Sequence, residues 1–228
     1  MLFQYRMQKR FKYLNFITAF FVTVLLVSNI TSSKILQVGP FTFDGGTILF
    51  PLSYIFGDIL TEVYGYERSR RVIWTGFFMM FLASLVFVIV QYLPAAADWS
   101  GQKAYEQILG LTPRIAGASL IAYFCGEFLN SFVLAKMKVW TKGKFLWART
   151  IGSTLLGEGV DTLLFCFIAF WGVWDLNLLL TVVVSNYIFK CGVEILFTPF
   201  TYLVTRLLKK REKEDYYDLH TNFNPLRF

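Results

Sequence analysis

Six stretches of the chain, at about residues 14–36, 47–64, 71–93, 114–137, 149–171 and 176–205, are apolar for long enough to cross a bilayer. A helix rises ~1.5 Å per residue, so ~20 apolar residues match a hydrocarbon core of ~30 Å. The expected fold class is an all-α integral membrane protein with six transmembrane helices. The second stretch is the shortest and is interrupted by Pro51, Gly57, Asp58 and Glu62. It reads either as a crossing or as a broken or re-entrant span, with Phe50–Pro51 expected to break it and to shape a pocket. Composition agrees, because only 16% of the 228 residues are charged, against ~25% in soluble domains.

The formal net charge of +7 suggests nucleic acid until its placement is read. Arg6, Lys9, Arg10 and Lys12 precede the first span, and Arg68, Arg70 and Arg71 lie between the second and third. Lys136, Lys138, Lys142, Lys144 and Arg149 lie between the fourth and fifth, and Arg206, Lys209, Lys210, Arg211, Lys213 and Arg227 follow the sixth. Eighteen of the 22 basic residues therefore fall on one side. By the positive-inside rule that side is cytoplasmic and holds both termini. Three regions follow: a basic N-terminus (1–13), a six-helix transporter domain (14–205) and a polar cytoplasmic tail (206–228), expected to be solvated.

Several classes are excluded early. Cys125, Cys166 and Cys191 all fall inside spans and read as small packing residues, not a disulfide framework. The single histidine, His220, lies in the tail, which argues against zinc sites and Ser-His-Asp chemistry. The first apolar run is too long for a signal-peptide core and ends in "SNITSSK", without a small-residue cleavage site. The loop "LPAAADWSGQKAYEQILGLTP" is long enough for a short amphipathic element on the outer surface.

The informative residues are the ionisable ones inside the spans, each costing at least ~2–3 kcal/mol at the membrane centre. Asp58 and Glu62 are four apart, as are Asn186, Lys190 and Glu194. Ser119, Tyr123, Glu127 and Asn130 form one stripe, and Thr154, Glu158 and Asp161 another. Glu127 and Glu158 each lie nine residues from a basic flank (Lys136 and Arg149), so ~13 Å into the membrane. The acids outnumber Lys190, with Arg114 placed toward the outer end of span four. A polar cavity near the midplane is the expected consequence, as in transporters. Carboxylates there accept paired N–H donors of a flat heterocycle or of an organic cation, and Tyr54, Phe165 or Tyr187 offer stacking faces.

An ordered set of motifs then resembles a known family. "SNITSSK" is followed by "FPLSYIFGDILTEVYGYERSRRVIW", "RIAGASLIAY", "STLLGEGVDTLLFCFIAFWG" and "YIFKCGVEILFTP", covering about residues 28–202. The series resembles the queuosine-precursor transporters, also described as vitamin-uptake-transporter-like proteins. The resemblance implies a bacterial inner-membrane importer of 7-deazaguanine bases: 7-cyano- or 7-aminomethyl-7-deazaguanine, or queuine. The family's polar positions fall on Asn29, Lys34, Asp58, Glu62, Arg114, Ser153, Asp161, Lys190 and Glu194. Glu158 stands where the family pattern more often has Gln or Asn, which would favour a ligand with an added donor or positive charge.

The expected substrate-binding residues are Asp161, Glu158, Asp58, Glu127, Asn29, Lys190, Asn186 and Ser153, with Asp58, Glu62 and Glu194 as candidates for proton coupling. Lys190 sets the local charge and Arg114 serves the outer vestibule. No cofactor, metal or nucleic-acid partner is implied; the partners are the deazapurine base and the lipid bilayer, and a homodimer is compatible with the sequence. The alternative is the substrate-binding subunit of an energy-coupling-factor vitamin transporter, which would need an ATPase module. Its docking signal, small residues four apart in the first helix, is met only by "AFFVT". An enzyme is not expected: no span holds a histidine, and no Gly-x-Ser-x-Gly occurs.

Overall fold

The structure, a computed structural model, describes residues 11–38, 41–110, 113–173 and 175–227. Arg6, Lys9 and Arg10 of the expected basic N-terminus lie outside the described residues. In chain order the elements are α1 (Leu14–Thr31), β1 (Ile35–Val38), β2 (Phe41–Asp44), a 3-10 turn (Gly45–Ile48), α2 (Phe50–Tyr64), α3 (Tyr66–Tyr92), α4 (Gln102–Leu109), α5 (Pro113–Trp140), α6 (Leu146–Phe170) and α7 (Leu176–Glu212). Among the described residues, six segments are long and apolar enough to span a membrane: α1, the 3-10 turn with α2, α3, the α4–α5 stretch, α6 and α7. The chain is thus a six-span helical membrane protein. Short α4 supplies the amphipathic element of the long loop, tied to α3 by Tyr105 Oη donating to the Phe87 carbonyl (3.3 Å) and Gln102 Nε2 to that of Gln91 (3.0 Å).

Two boundaries differ from the sequence reading. The first helix stops at Thr31, and the polar run after it enters a two-stranded antiparallel ribbon in which Leu36 faces Phe43. The second span is not broken at Phe50–Pro51. Pro51 sits in the first turn of α2, where a missing N–H costs nothing, and the helix runs unbroken to Tyr64. The change of direction lies just before it, in the 3-10 turn. At 15 residues α2 is only ~22 Å long, short for a lipid-facing span. It is instead the central helix, buried almost all round, with α1, α3, α5 and α7 packed against it. The hydroxyls of Thr61 of α2, Ser69 of α3 (2.9 Å from Thr61) and Ser131 of α5 (3.1 Å from Thr61) form one buried hydrogen-bonded group that joins three helices.

α5 and α6 make the most intimate pair. A Cβ at Gly126 would lie 3.0 Å from the Gly157 carbonyl, and one at Gly157 would lie 2.9 Å from the Gly126 carbonyl. Small residues let two backbones approach this closely where lipid gives no hydrophobic drive for association. The crossing also sets Glu127 and Asn130 of α5 beside Glu158 and Asp161 of α6, their neighbours in sequence.

At the other end of the bundle the chain termini meet. Glu212, at the end of α7, accepts from the backbone N–H of Tyr13 (2.7 Å) and Lys12 (3.1 Å) and from Tyr64 Oη (3.1 Å), satisfying donors at the start of α1. The tail expected to be solvated is instead docked. Tyr216 N–H donates to the Val63 carbonyl (3.3 Å), the Asp218 carboxyl accepts from Tyr66 N–H (3.1 Å), and Arg70 donates to the carbonyls of Asn222 (2.9 Å) and Asn224 (2.8 Å). The Tyr216 ring fills the place a side chain at Gly65 would need, and Gly65 holds the positive φ of 84° that turns α2 into α3. Burial works against ionisation of Asp215, but hydrogen bonds from Lys138 and Lys209 outweigh it and hold that carboxyl below its ordinary value. Its contribution to stability is therefore present at neutral pH and is lost as pH falls through that lowered value. The charge pattern concealed this packing because Lys138 and Arg149, read as loop residues, are buried on α5 and α6.

Replacing Gly157 with valine should force the α5–α6 crossing apart and cost ~1–3 kcal/mol. The measurement is the melting temperature in detergent, with Gly152→Ala as control, since a Cβ there meets only the flexible end of Met137 (3.2 Å). Equal melting of the two variants would contradict the close crossing.

Candidate functional site

In the half of the bundle away from the termini, α1, the 3-10 turn, α5, α6 and α7 enclose a cavity. A water-sized sphere can range over about 90 Å³ within it, against the ~10–15 Å³ that one buried water requires. Its polar wall comes from Ser28 and Asn29 of α1, Ser119 of α5, Asp161 and Thr162 of α6, and Asn186 and Lys190 of α7. Ser119 Oγ donates to Asn29 Oδ1 (3.3 Å). Phe50, at the start of α2, and Phe165 of α6 supply flat apolar faces.

The charge at the cavity floor is set by one shared cation. Lys190 Nζ lies 2.7 Å from Asp161 Oδ2 and 3.0 Å from Glu158 Oε2, with the Phe50 ring centroid 4.4 Å away. An ammonium in that position offsets two carboxylates and is itself desolvated against an aromatic face. Asp161 borders the cavity; Glu158, one turn nearer the termini, is wholly buried beneath it.

Of the expected binding residues, the structure brings Asp161, Lys190, Asn29 and Asn186 to the cavity wall and Glu158 to its floor. Asp58, Glu127 and Glu194 lie behind it, each at most 1% exposed. Asn130 Nδ2 donates to Asp58 Oδ1 (2.8 Å), while Glu127 lies against Gly57, where a Cβ would come within 2.8 Å of its Oε2. Ser153 is not at the cavity: it is buried, with its hydroxyl on the Thr150 carbonyl (3.0 Å). Tyr187 also points elsewhere, donating to the Leu155 carbonyl (3.0 Å). Tyr54 is buried behind Asp161, and only Phe165 of the three expected rings reaches the wall. Arg114, expected at the outer vestibule, is exposed and tied to the end of a neighbouring helix. Its guanidinium donates to the carbonyls of Ile168 (2.6 Å) and Trp171 (2.7 Å), capping the C-terminal end of α6.

Glu62 has a separate place. Its carboxylate is bound bidentately by Arg149 of α6 and contacted by Lys209 of α7 (2.5 Å), with Lys138 of α5 at 3.6 Å. Lys138 also donates to the Glu62 carbonyl (2.5 Å), to Asp215 (2.6 Å) and to the Tyr216 carbonyl (2.8 Å). Four helices and the tail are joined through this cluster, and the cavity does not reach it.

Phe50, expected with Pro51 to shape the pocket, does line the cavity, whereas sequence reasoning did not single out Ser28 or Thr47. The available signal was weak: "VSN" occurs at 27–29 and at 184–186, and both asparagines, Asn29 and Asn186, line the cavity.

The profile of a family described as "Putative vitamin uptake transporter" matches residues 44–204. The chain belongs to this family. Its members are transporters, and the chain is a transporter, not an enzyme. The matched residues begin just before the 3-10 turn and take in α2, α3, α5, α6 and most of α7, so they hold every polar residue lining the cavity except Ser28, Asn29 and Ser32. Two relatives extend the likeness over most of the length. The "Probable queuosine precursor transporter" of Bacillus subtilis (strain 168) is 28% identical over 190 residues, 82% of each chain. The "Queuosine precursor transporter" of Escherichia coli (strain K12) is 28% identical over 207 residues, 89% of this chain and 91% of that one. No solved structure gives a significant match.

The geometry separates two kinds of intramembrane acid. Glu62→Gln should weaken a buried carboxylate pairing with three cations, costing about 3–5 kcal/mol of stability, while the folded fraction keeps its ligand affinity. Melting in detergent and ligand binding on the same preparation check this. An affinity change without destabilisation would contradict the assignment of Glu62 to the structural cluster.

Proposed function

We propose that the chain imports queuosine precursors, binding a 7-deazaguanine base in the cavity above Asp161. The observation that carries this reading is the cavity's composition: a carboxylate held by Lys190, two asparagine side chains and several hydroxyls, closed by flat aromatic faces. A deazaguanine offers an amide-amidine edge with adjacent N–H donors and a planar ring. Asp161 accepts from that edge, Asn29 and Asn186 supply both donors and acceptors, and Phe50 and Phe165 cover the ring. The names of the two relatives support the same substrate class. Candidate cargoes are 7-cyano-7-deazaguanine, 7-aminomethyl-7-deazaguanine and queuine.

The membrane is the bacterial inner membrane in this reading, with both termini in the cytoplasm. Two observations support that orientation: the basic residues of alternate loops, and the meeting of residues 12, 13 and 212 at one end of the bundle. The cavity then loads from the outer side. Release inward requires the buried carboxyls and the Glu62 cluster to part, as alternating access demands.

Equilibrium binding to purified protein tests the proposal, using both deazaguanines and guanine. The deazaguanines should bind, and Asp161→Asn should weaken them by roughly 10- to 100-fold, the loss of a hydrogen bond to a charged acceptor. Glu158→Gln should shift the preference between the cyano and aminomethyl bases. Folded protein that binds neither base would overturn the substrate, and an unchanged preference would remove Glu158 from its selection.

A further inference from the structure

Between the cavity and the Glu62 cluster lies a group of acceptors that base binding does not use. Asp58 Oδ2, both oxygens of Glu127 and both of Glu194 have no hydrogen-bond partner among the described residues. They come from α2, α5 and α7. The hydroxyl nearest Glu127 is that of Ser53, which is within reach of the carboxyl and has its well-aligned hydrogen bond to the Phe50 carbonyl (2.7 Å).

Uncharged groups in the same layer are equally unserved. Asn130 gives Nδ2 to Asp58 and keeps Oδ1 without a donor. The Tyr54 hydroxyl, fully buried, stands where a side chain at Gly126 would be, within electrostatic reach of Asp161, Glu158 and Glu127, and has no partner. Thr154 Oγ1 of α6 is also free of hydrogen bonds. Such groups are rarely left unpaired in a protein interior, so this layer is arranged around a species absent from the chain itself.

The surrounding charges indicate what that species is. Glu127 faces Glu158, Asp161 and Glu194; Asp58 faces Glu127, Glu62 and Arg149; Glu194 faces Asp58 and Glu158. Tyr123, the other phenol beside Glu127, donates to the Ile73 carbonyl (3.0 Å). The two nearby cations are engaged elsewhere, Lys190 with Asp161 and Glu158 and Arg149 with Glu62. Three further anions cannot be held in this environment without a counter-charge. No cluster of metal-ligating geometry occurs among the described residues.

We infer that Asp58, Glu127 and Glu194 form a proton-binding site, distinct from the substrate cavity, that couples transport to proton movement. It rests on the chain being a transporter, not on the identity of the base. Glu158 links the two sites because it shares Lys190 with Asp161. A ligand that engages Asp161 changes how the ammonium divides between the two carboxylates, and hence the charge Glu127 and Glu194 experience. By linkage, proton occupancy changes ligand affinity by the same factor.

Infrared difference spectroscopy at neutral pH, in H2O and D2O, reads the carbonyl stretch of protonated carboxyl groups without any substrate. The band should be present and should diminish in each of the isosteric variants Asp58→Asn, Glu127→Gln and Glu194→Gln, but not in Asp161→Asn. In proteoliposomes an inward proton gradient should drive accumulation of 7-cyano-7-deazaguanine. Glu127→Gln should lose about 10-fold or more of that accumulation yet still exchange the base at equal pH. A folded protein without the band, or with the band intact in all three variants, overturns the site. Accumulation driven by a sodium gradient at equal pH also overturns it. The band without deazaguanine binding refutes the substrate and supports the proton site.

Discussion

The ammonium of Lys190, shared between Asp161 and Glu158, is the interaction on which the interior of this bundle depends. It allows two carboxylates to stand in the membrane with a cavity above them. Remove that cation and the floor of the cavity holds two uncompensated charges, so the polar wall and the charge that makes it useful form one arrangement. The four-residue period of the helix extends this outward from Lys190. Phe50, Tyr54, Asp58 and Glu62 descend one face of α2, as Asn186, Lys190 and Glu194 descend α7. Glu158 and Asp161 run in the opposite sense on α6. The result is three layers: a cavity floored by one cation shared between two carboxylates, a set of carboxyls short of donors, and a cation-rich cluster around Glu62.

The lowest layer differs in kind from the other two. Glu62 has an excess of cations, whereas Asp58, Glu127 and Glu194 have none of their own. One arrangement closes the termini end of the bundle through α2, α5, α6, α7 and the tail; the other leaves a demand that a mobile charge can meet. Residues with similar side chains and similar burial thus serve opposite purposes, decided by how many donors converge on each.

Much of the fold was legible because lipid imposes a length and a polarity that a sequence displays directly. Six apolar runs and one-sided basic loops were sufficient for the spans. The buried acids were equally visible, since a carboxylate in an apolar run has few structural explanations. What the sequence concealed was pairing at a distance. Lys138 and Arg149 looked like loop charges because nothing local indicates that Glu62 lies between them. The acceptors of Arg114, the carbonyls of Ile168 and Trp171, were not legible because they belong to another helix end. The polar tail looked solvated because its partners are scattered through the sequence: the backbone of Val63 and Tyr66, the side chains of Arg70, Trp74, Lys138 and Lys209, and the rings of Tyr66 and Phe132. Phe50 was read with Pro51 as a break, although proline in a first helical turn starts a helix, and that start places the ring beneath Lys190.

In the function proposed, the transported base sits above the Lys190–Asp161 pair. The most direct measurement is an experimental structure of the protein with 7-cyano-7-deazaguanine bound. The base should lie between Phe50 and Phe165, its donor edge toward Asp161 and within reach of Asn29 and Asn186. A base bound elsewhere, with this cavity empty and Lys190 still between Asp161 and Glu158, would contradict it.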